Sequence, residues 1–125
     1  MPPSSRTWGH KFGDAFRGLG LVIRGERSFR VHLFAAVGVL IAAIGLQCDL
    51  IEWCLLVGCI GAVFAVETLN SAIETLFHAL DEATKARMTG CLDLAAGAVL
   101  WAALTAALIG GLILGRRILL MAGIL

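Results

Sequence analysis

The chain has 125 residues, 59% hydrophobic and 15% charged, with a formal net charge of +1 and a mean hydropathy of +0.91. Soluble domains are about 45–50% apolar, so this composition excludes an ordinary water-soluble core and points to an all-α integral membrane protein. The net charge alone argues neither for nor against nucleic acid; membrane lipids are the expected surroundings, and no nucleic-acid partner is expected.

Residues 1–5 read as a disordered start. From Trp8 onward, Phe12, Ala15, Phe16, Leu19, Val22 and Ile23 recur at helical spacing, with His10, Lys11, Asp14 and Arg17 on the remaining surface. This predicts an amphipathic helix over residues 8–28, suited to a membrane–water interface. Basic residues continue to Arg30 with no compact apolar core and cleavage site, so no signal peptide is expected. A first membrane span is predicted over 31–46, with His32 at its entrance. After a short turn at 47–50, a second helix is predicted over 51–80, longer than a bilayer needs. Residues 81–90 form the one clearly polar connection, and the third span is predicted over 91–114. Gly111 and Gly115 have the spacing that permits close helix contact. No role is assigned to the tail 115–125, where Arg116 and Arg117 precede an apolar stretch, and a fourth, partial segment there stays open. The cysteines (Cys48, Cys54, Cys59 and Cys91) lack metal-binding spacing, and no disulfide is expected.

Of the ten bases, Arg6, Lys11, Arg17, Arg24, Arg27, Arg30, Lys85 and Arg87 fall on one side of this arrangement, against Arg116 and Arg117 on the other. The positive-inside rule therefore predicts a cytoplasmic amino terminus, a cytoplasmic 81–90 loop and a carboxyl terminus outside. Arg116 and Arg117 conflict with that placement.

The second helix carries Glu67, Asn70 and Glu74 after an uncharged run from Cys54 to Ala65. At about 100° per residue, Glu67 and Glu74 lie about 20° apart around the axis, with Asn70 and Ser71 on either side and His78 continuing the line. A carboxylate at bilayer depth costs about 2.5–3.5 kcal/mol, so two of them with an amide indicate a function beyond a polar helix seam. With Glu26 and Asp93 at the same predicted depth, four carboxylates and an amide from three segments can converge near the cytoplasmic interface. Such oxygen ligands suit Mg²⁺ shared with substrate phosphates, and a further carboxylate could accept a proton from a hydroxyl. This supports phosphoryl transfer at a membrane surface. A proton relay is the competing reading from these residues alone.

The octet Glu67-Thr68-Leu69-Asn70-Ser71-Ala72-Ile73-Glu74 resembles the signature of the small prokaryotic diacylglycerol kinase and undecaprenol kinase family. Ala15-Phe16-Arg17-Gly18, the block from Glu26 to Leu33 and the block from Asp93 to Leu100 resemble the same family in the same order. The resemblance covers residues 8 to 110. It implies a homotrimeric bundle with an amphipathic surface helix and three transmembrane helices per chain, in a bacterial inner membrane. The implied activity is ATP-dependent phosphorylation of a lipid primary hydroxyl, with Mg²⁺. Glu67 matches the general base, and Glu26 and Glu74 match the carboxylates that hold the metal on ATP. Asn70 matches their support, and Asp93 a nucleotide-site carboxylate. Ala83, Thr84 and Lys85 fall in the loop near the nucleotide, and Asp14 on the surface helix facing it. Two positions depart from the family: His78 replaces an Asp, and Leu92 replaces a Lys that contacts phosphates. The alternative implied by those departures is a membrane nucleotide- or lipid-binding protein without turnover. A small proton-coupled transporter is the weakest reading, because residues 31–46 contain no acid.

Overall fold

The computed structural model describes residues 7–25 and 27–125, and the side chains of residues 22–24 are outside that description. The start at 1–5 and Glu26 lie outside the described residues. Among the described residues five helices follow one another: α1 (Trp8–Gly25), α2 (Arg27–Gly45), α3 (Leu50–His78), α4 (Glu82–Arg87) and α5 (Cys91–Met121). Among the described residues there is no strand. α2, α3 and α5 are long and apolar enough to cross a membrane.

The boundaries differ from expectation in three places, each with a local reason. Residues 27 and 28, expected at the end of the surface helix, open α2, because helix α1 already ends at Gly25. The polar connection contains α4, a helix of one to two turns. Asp81 caps it, its carboxylate accepting the Thr84 backbone N–H at 2.7 Å. Residues 115–121 continue α5 rather than leaving it as a tail. The helix stops where Gly123 takes φ +75°. There Gly123 N–H donates to the Leu120 carbonyl, and Ile124 N–H to the Leu119 carbonyl, as in a Schellman cap.

α3 is 29 residues long, and α5 31. At about 1.5 Å per residue each exceeds the roughly 30 Å of hydrocarbon. They share the largest helix interface and run antiparallel, with α2 packed against α3. Among the described residues the buried apolar positions are Ala95 on α5, Phe29, Ala36 and Ala43 on α2, and Leu56 and Val63 on α3, the α2 and α3 sets each stepping by seven. Their seven-residue spacing is that of a left-handed helix seam, and the alanines let α2 approach closely. A Cβ added at Gly110 of α5 would stand 3.9 Å from the buried Leu56 side chain. A Cβ added at Gly111 or Gly115 would meet nothing within 4 Å, so the close contact expected there is not made within the chain. Phe34, Leu100, Trp101, Leu104, Leu108 and Leu112 are exposed. Such a surface suits lipid or another apolar partner rather than water.

The far end of the α3–α5 pair is tied by charge. Arg117 donates from Nε to Glu52 at 2.7 and 3.0 Å, and from Nη2 to Glu52 at 2.8 Å and to Asp49 at 3.2 Å. Arg116 stands 3.7 Å from Glu52. Asp49 also caps α3 through the Glu52 backbone N–H at 2.8 Å. Arg116 and Arg117, which opposed the predicted orientation, thus share their end of the bundle with two acids.

Removing either partner of this forked contact leaves the other only its weaker neighbour, Asp49 for Arg117 or Arg116 for Glu52. Glu52→Ala and Arg117→Ala should each lower the melting temperature in detergent by several degrees. In a double-mutant cycle, the combined variant should lose less than the sum of the two.

Candidate functional site

Glu67 sits on α3 one turn after Phe64, and its side chain is almost fully buried, at 4% exposure. Phe64 stacks on Phe29 of α2 with ring centroids 4.8 Å apart. This contact sets the register of α2 on α3 and brings two polar α2 residues, Ser28 and His32, onto the carboxylate. Being four residues apart, they share one helix face. Ser28 Oγ donates to Glu67 Oε1 at 3.0 Å, and His32 Nδ1 lies 2.6 Å from the same oxygen.

One turn further along α3, Asn70 Nδ2 donates to Glu74 Oε1 at 3.1 Å. Each half of the stripe keeps one unused acceptor. Glu67 Oε2 and Asn70 Oδ1 are buried, and no group among the described residues donates to either. Leaving a buried acceptor unsatisfied costs about 1–3 kcal/mol, more for a charged one. Two of them side by side therefore suit a ligand that brings a donor or a cation. The space for it is present: Ser28 and Phe29 of α2, Glu67, Asn70 and Ser71 of α3, and Ala96 and Val99 of α5 line a cavity of about 170 Å³. Beside it runs a larger apolar groove of about 470 Å³ between α2, α3 and α5, walled by His32 among mainly alanine and aliphatic side chains.

Among the described residues, neither a hydrogen bond nor an ion pair joins Asp93, Thr84 or Lys85 to Glu67, Asn70 or Glu74. Asp93 is exposed in the first turn of α5, and the neighbouring Leu92 is half-buried. The turn before them closes on Gly90, whose φ of +86° favours glycine. Ala83, Thr84 and Lys85 belong to α4. Lys85 lies 3.5 Å from Glu82 and its ammonium group 5.9 Å from the centre of the Phe77 ring. Hydrogen bonds from Thr84, side chain and backbone, hold the Asp81 carboxyl below its ordinary range, so the α4 cap is ionised at neutral pH. Asp14 pairs with Arg17 on α1. His78, the last residue of α3, is exposed with its ring edge against Phe77. Among the described residues, no group of three or more His, Cys, Asp or Glu side chains is placed to hold a metal ion unaided. Glu26, expected as a metal ligand, is outside them.

The sequence reading missed Ser28 and His32 as partners of Glu67. The signal was present: two polar residues four apart at the mouth of an apolar span, facing one way.

Two curated relatives cover most of the chain. An undecaprenol kinase of Bacillus subtilis (strain 168) is 36% identical over 102 residues, 82% of this chain and 83% of the relative. A diacylglycerol kinase of Synechocystis (strain ATCC 27184 / PCC 6803 / Kazusa) is 33% identical over 111 residues, 82% of this chain and 59% of that longer relative. No solved structure gives a significant match. The profile described as prokaryotic diacylglycerol kinase matches residues 13–114, a stretch holding every side chain that lines the polar cavity. By that match and those relatives, the chain belongs to the prokaryotic diacylglycerol kinase family of lipid kinases.

Proposed function

We propose that the protein transfers the terminal phosphoryl group of ATP to the primary hydroxyl of a membrane lipid, diacylglycerol or undecaprenol, with Glu67 as general base. The observation that carries the proposal is that Glu67 lines the cavity while its Oε2 is buried with no donor among the described residues. A lipid hydroxyl entering the cavity donates to that oxygen. As the hydroxyl oxygen bonds to the terminal phosphorus, its proton passes to Glu67, the bond from that phosphorus to the bridging oxygen breaks, and ADP leaves with the bond's electron pair.

Acceptor oxygens dominate this donor set, and they fit a hard cation better than an anion. Glu74, with Glu26, would hold Mg²⁺ on the ATP phosphates, neutralising charge that the buried carboxylates would otherwise repel. Asn70 orients Glu74 through its Nδ2 and offers Oδ1 to the bound nucleotide–metal complex. Asp93, Asp14 and the α4 residues Ala83, Thr84 and Lys85 form the nucleotide side. Leu92 supplies no charge there, and Lys85, Arg17 and Arg87 are the nearby cations along the chain. The amino terminus and α4 face the cytoplasm across a bacterial inner membrane, where ATP is available. Neighbouring chains of a homotrimer complete the site and cover part of the exposed apolar surface.

A second reading has its own observation: an aliphatic, half-buried Leu92 stands at the position that stabilises developing phosphate charge in this family. On that reading the protein binds nucleotide and lipid with little transfer.

Purified protein in lipid vesicles, supplied with ATP, Mg²⁺ and each lipid in turn, should phosphorylate at least one of them. Glu67→Gln keeps the size and hydrogen-bonding capacity but removes the proton acceptor, so the rate should fall about 10²–10⁴-fold. Full turnover in that variant would end the assignment of Glu67 as base. Leu92→Lys should raise the turnover several-fold. Were the unaltered protein inert and this variant active, the binding-protein reading would replace catalysis.

A further inference from the structure

Phosphoryl transfer accounts for Glu67 but not for the two α2 side chains that meet it. A carboxylate has two oxygens, and a base needs a free lone pair on only one of them. Both donors, Ser28 Oγ at 3.0 Å and His32 Nδ1 at 2.6 Å, converge on Oε1, and neither reaches Oε2. On the reading of Glu67 as base its oxygens are acceptors, and the contact then requires the His32 tautomer that carries its proton on Nδ1. The pair joins residues 35 apart in sequence, on different helices. It also compensates a charge that is otherwise buried at 4% exposure.

Position adds a second argument. His32 lines the apolar groove, Glu67 lines the polar cavity, and neither lines the other's space. The imidazole therefore stands between the two, with one ring nitrogen on the carboxylate and the ring against the groove. Phe29, next to Ser28, is clamped on Phe64, which keeps the α2 donors at fixed height relative to Glu67.

We infer that His32, with Ser28, is a positioning residue for Glu67. Together they hold the carboxylate by Oε1 and keep Oε2 aimed at the hydroxyl of a lipid whose chain lies along the groove. This rests on the proposed role of Glu67 as base. His32 itself moves no proton: the proton leaves the hydroxyl for Oε2, and Nδ1–H stays on the imidazole throughout.

Three substitutions separate positioning from packing. His32→Asn puts an amide N–H near the place of Nδ1–H, His32→Gln carries its amide beyond it, and His32→Leu keeps bulk without a donor. His32→Leu and His32→Gln should lower kcat about 10–100-fold, in the range of lost orienting partners, with KM for ATP unchanged. His32→Asn should recover most of that loss. A readout independent of turnover is the ¹⁵N spectrum of His32 in the unaltered protein. It should show a protonated Nδ1, and this single-tautomer signature should be lost in Glu67→Ala. Equal losses in His32→Asn and His32→Leu, or an unprotonated Nδ1, would overturn the inference. Should Glu67→Gln be inert while His32→Leu turns over normally, the base assignment stands and the positioning role alone falls. Should Glu67→Gln be fully active, it is the base assignment that falls, and positioning falls with it.

Discussion

A carboxylate taken out of water must be given donors or a cation, and α3 buries two of them, Glu52 in its first turn and Glu67 past its middle. Their treatment differs. Glu52 is saturated: both oxygens take hydrogen bonds from Arg117, and Arg116 stands close by. Glu67 receives two donors on one oxygen and none on the other. A saturated carboxylate is a clasp with nothing left to offer a ligand. A half-satisfied one, on a residue that lines a cavity, keeps an acceptor for a ligand. On the proposed reading the same helix thus uses one chemical group as a clasp at Glu52 and for chemistry at Glu67.

The thin core makes these polar contacts matter more. α2 meets α3 through two alanines and one aromatic pair, because small residues rather than bulky ones line its seam. In lipid there is little hydrophobic force between helices, so van der Waals packing and hydrogen bonds carry the association. The bonds from Ser28 and His32 to Glu67 are therefore both helix-to-helix contacts and part of the candidate site. Stability and function share them, and the placement of α2 decides both.

What could be read from sequence follows from the range of the interaction. The stripe Glu67, Asn70, Glu74 was legible because a helix repeats its faces every three to four residues, and that order is local. The Asn70–Glu74 contact lies within this range. That Ser28 and His32 share a face was legible, but their pairing with Glu67, and that of Arg117 with Glu52, was not, because those partners lie 39, 35 and 65 positions away. Arg117 is the clearest case. In sequence it reads as a base on the wrong side of a membrane and as the end of a span; in the fold it locks onto Glu52, and α5 runs on to Met121. α4 was missed for a smaller reason: Asp81 followed three residues later by Thr84 is a capping signal, hidden inside a stretch read only for its polarity.

The two unpartnered atoms at the centre of the site are of one kind. Glu67 Oε2 and Asn70 Oδ1 both accept, so a ligand satisfies these two atoms only with a donor or a cation. A lipid ester carbonyl or a bare phosphate oxygen gains nothing from either atom, whereas a hydroxyl gains a strong bond to Glu67. A phosphate can come near only behind a cation, and Glu74, steered by Asn70, is the described carboxylate on that side. On the proposed reading this sets the order of the reactants along α3. The hydroxyl lies against Glu67, and the metal-bearing phosphate lies a turn or two further on, toward Glu74. Asn70 stands between them, where the transferred group must pass.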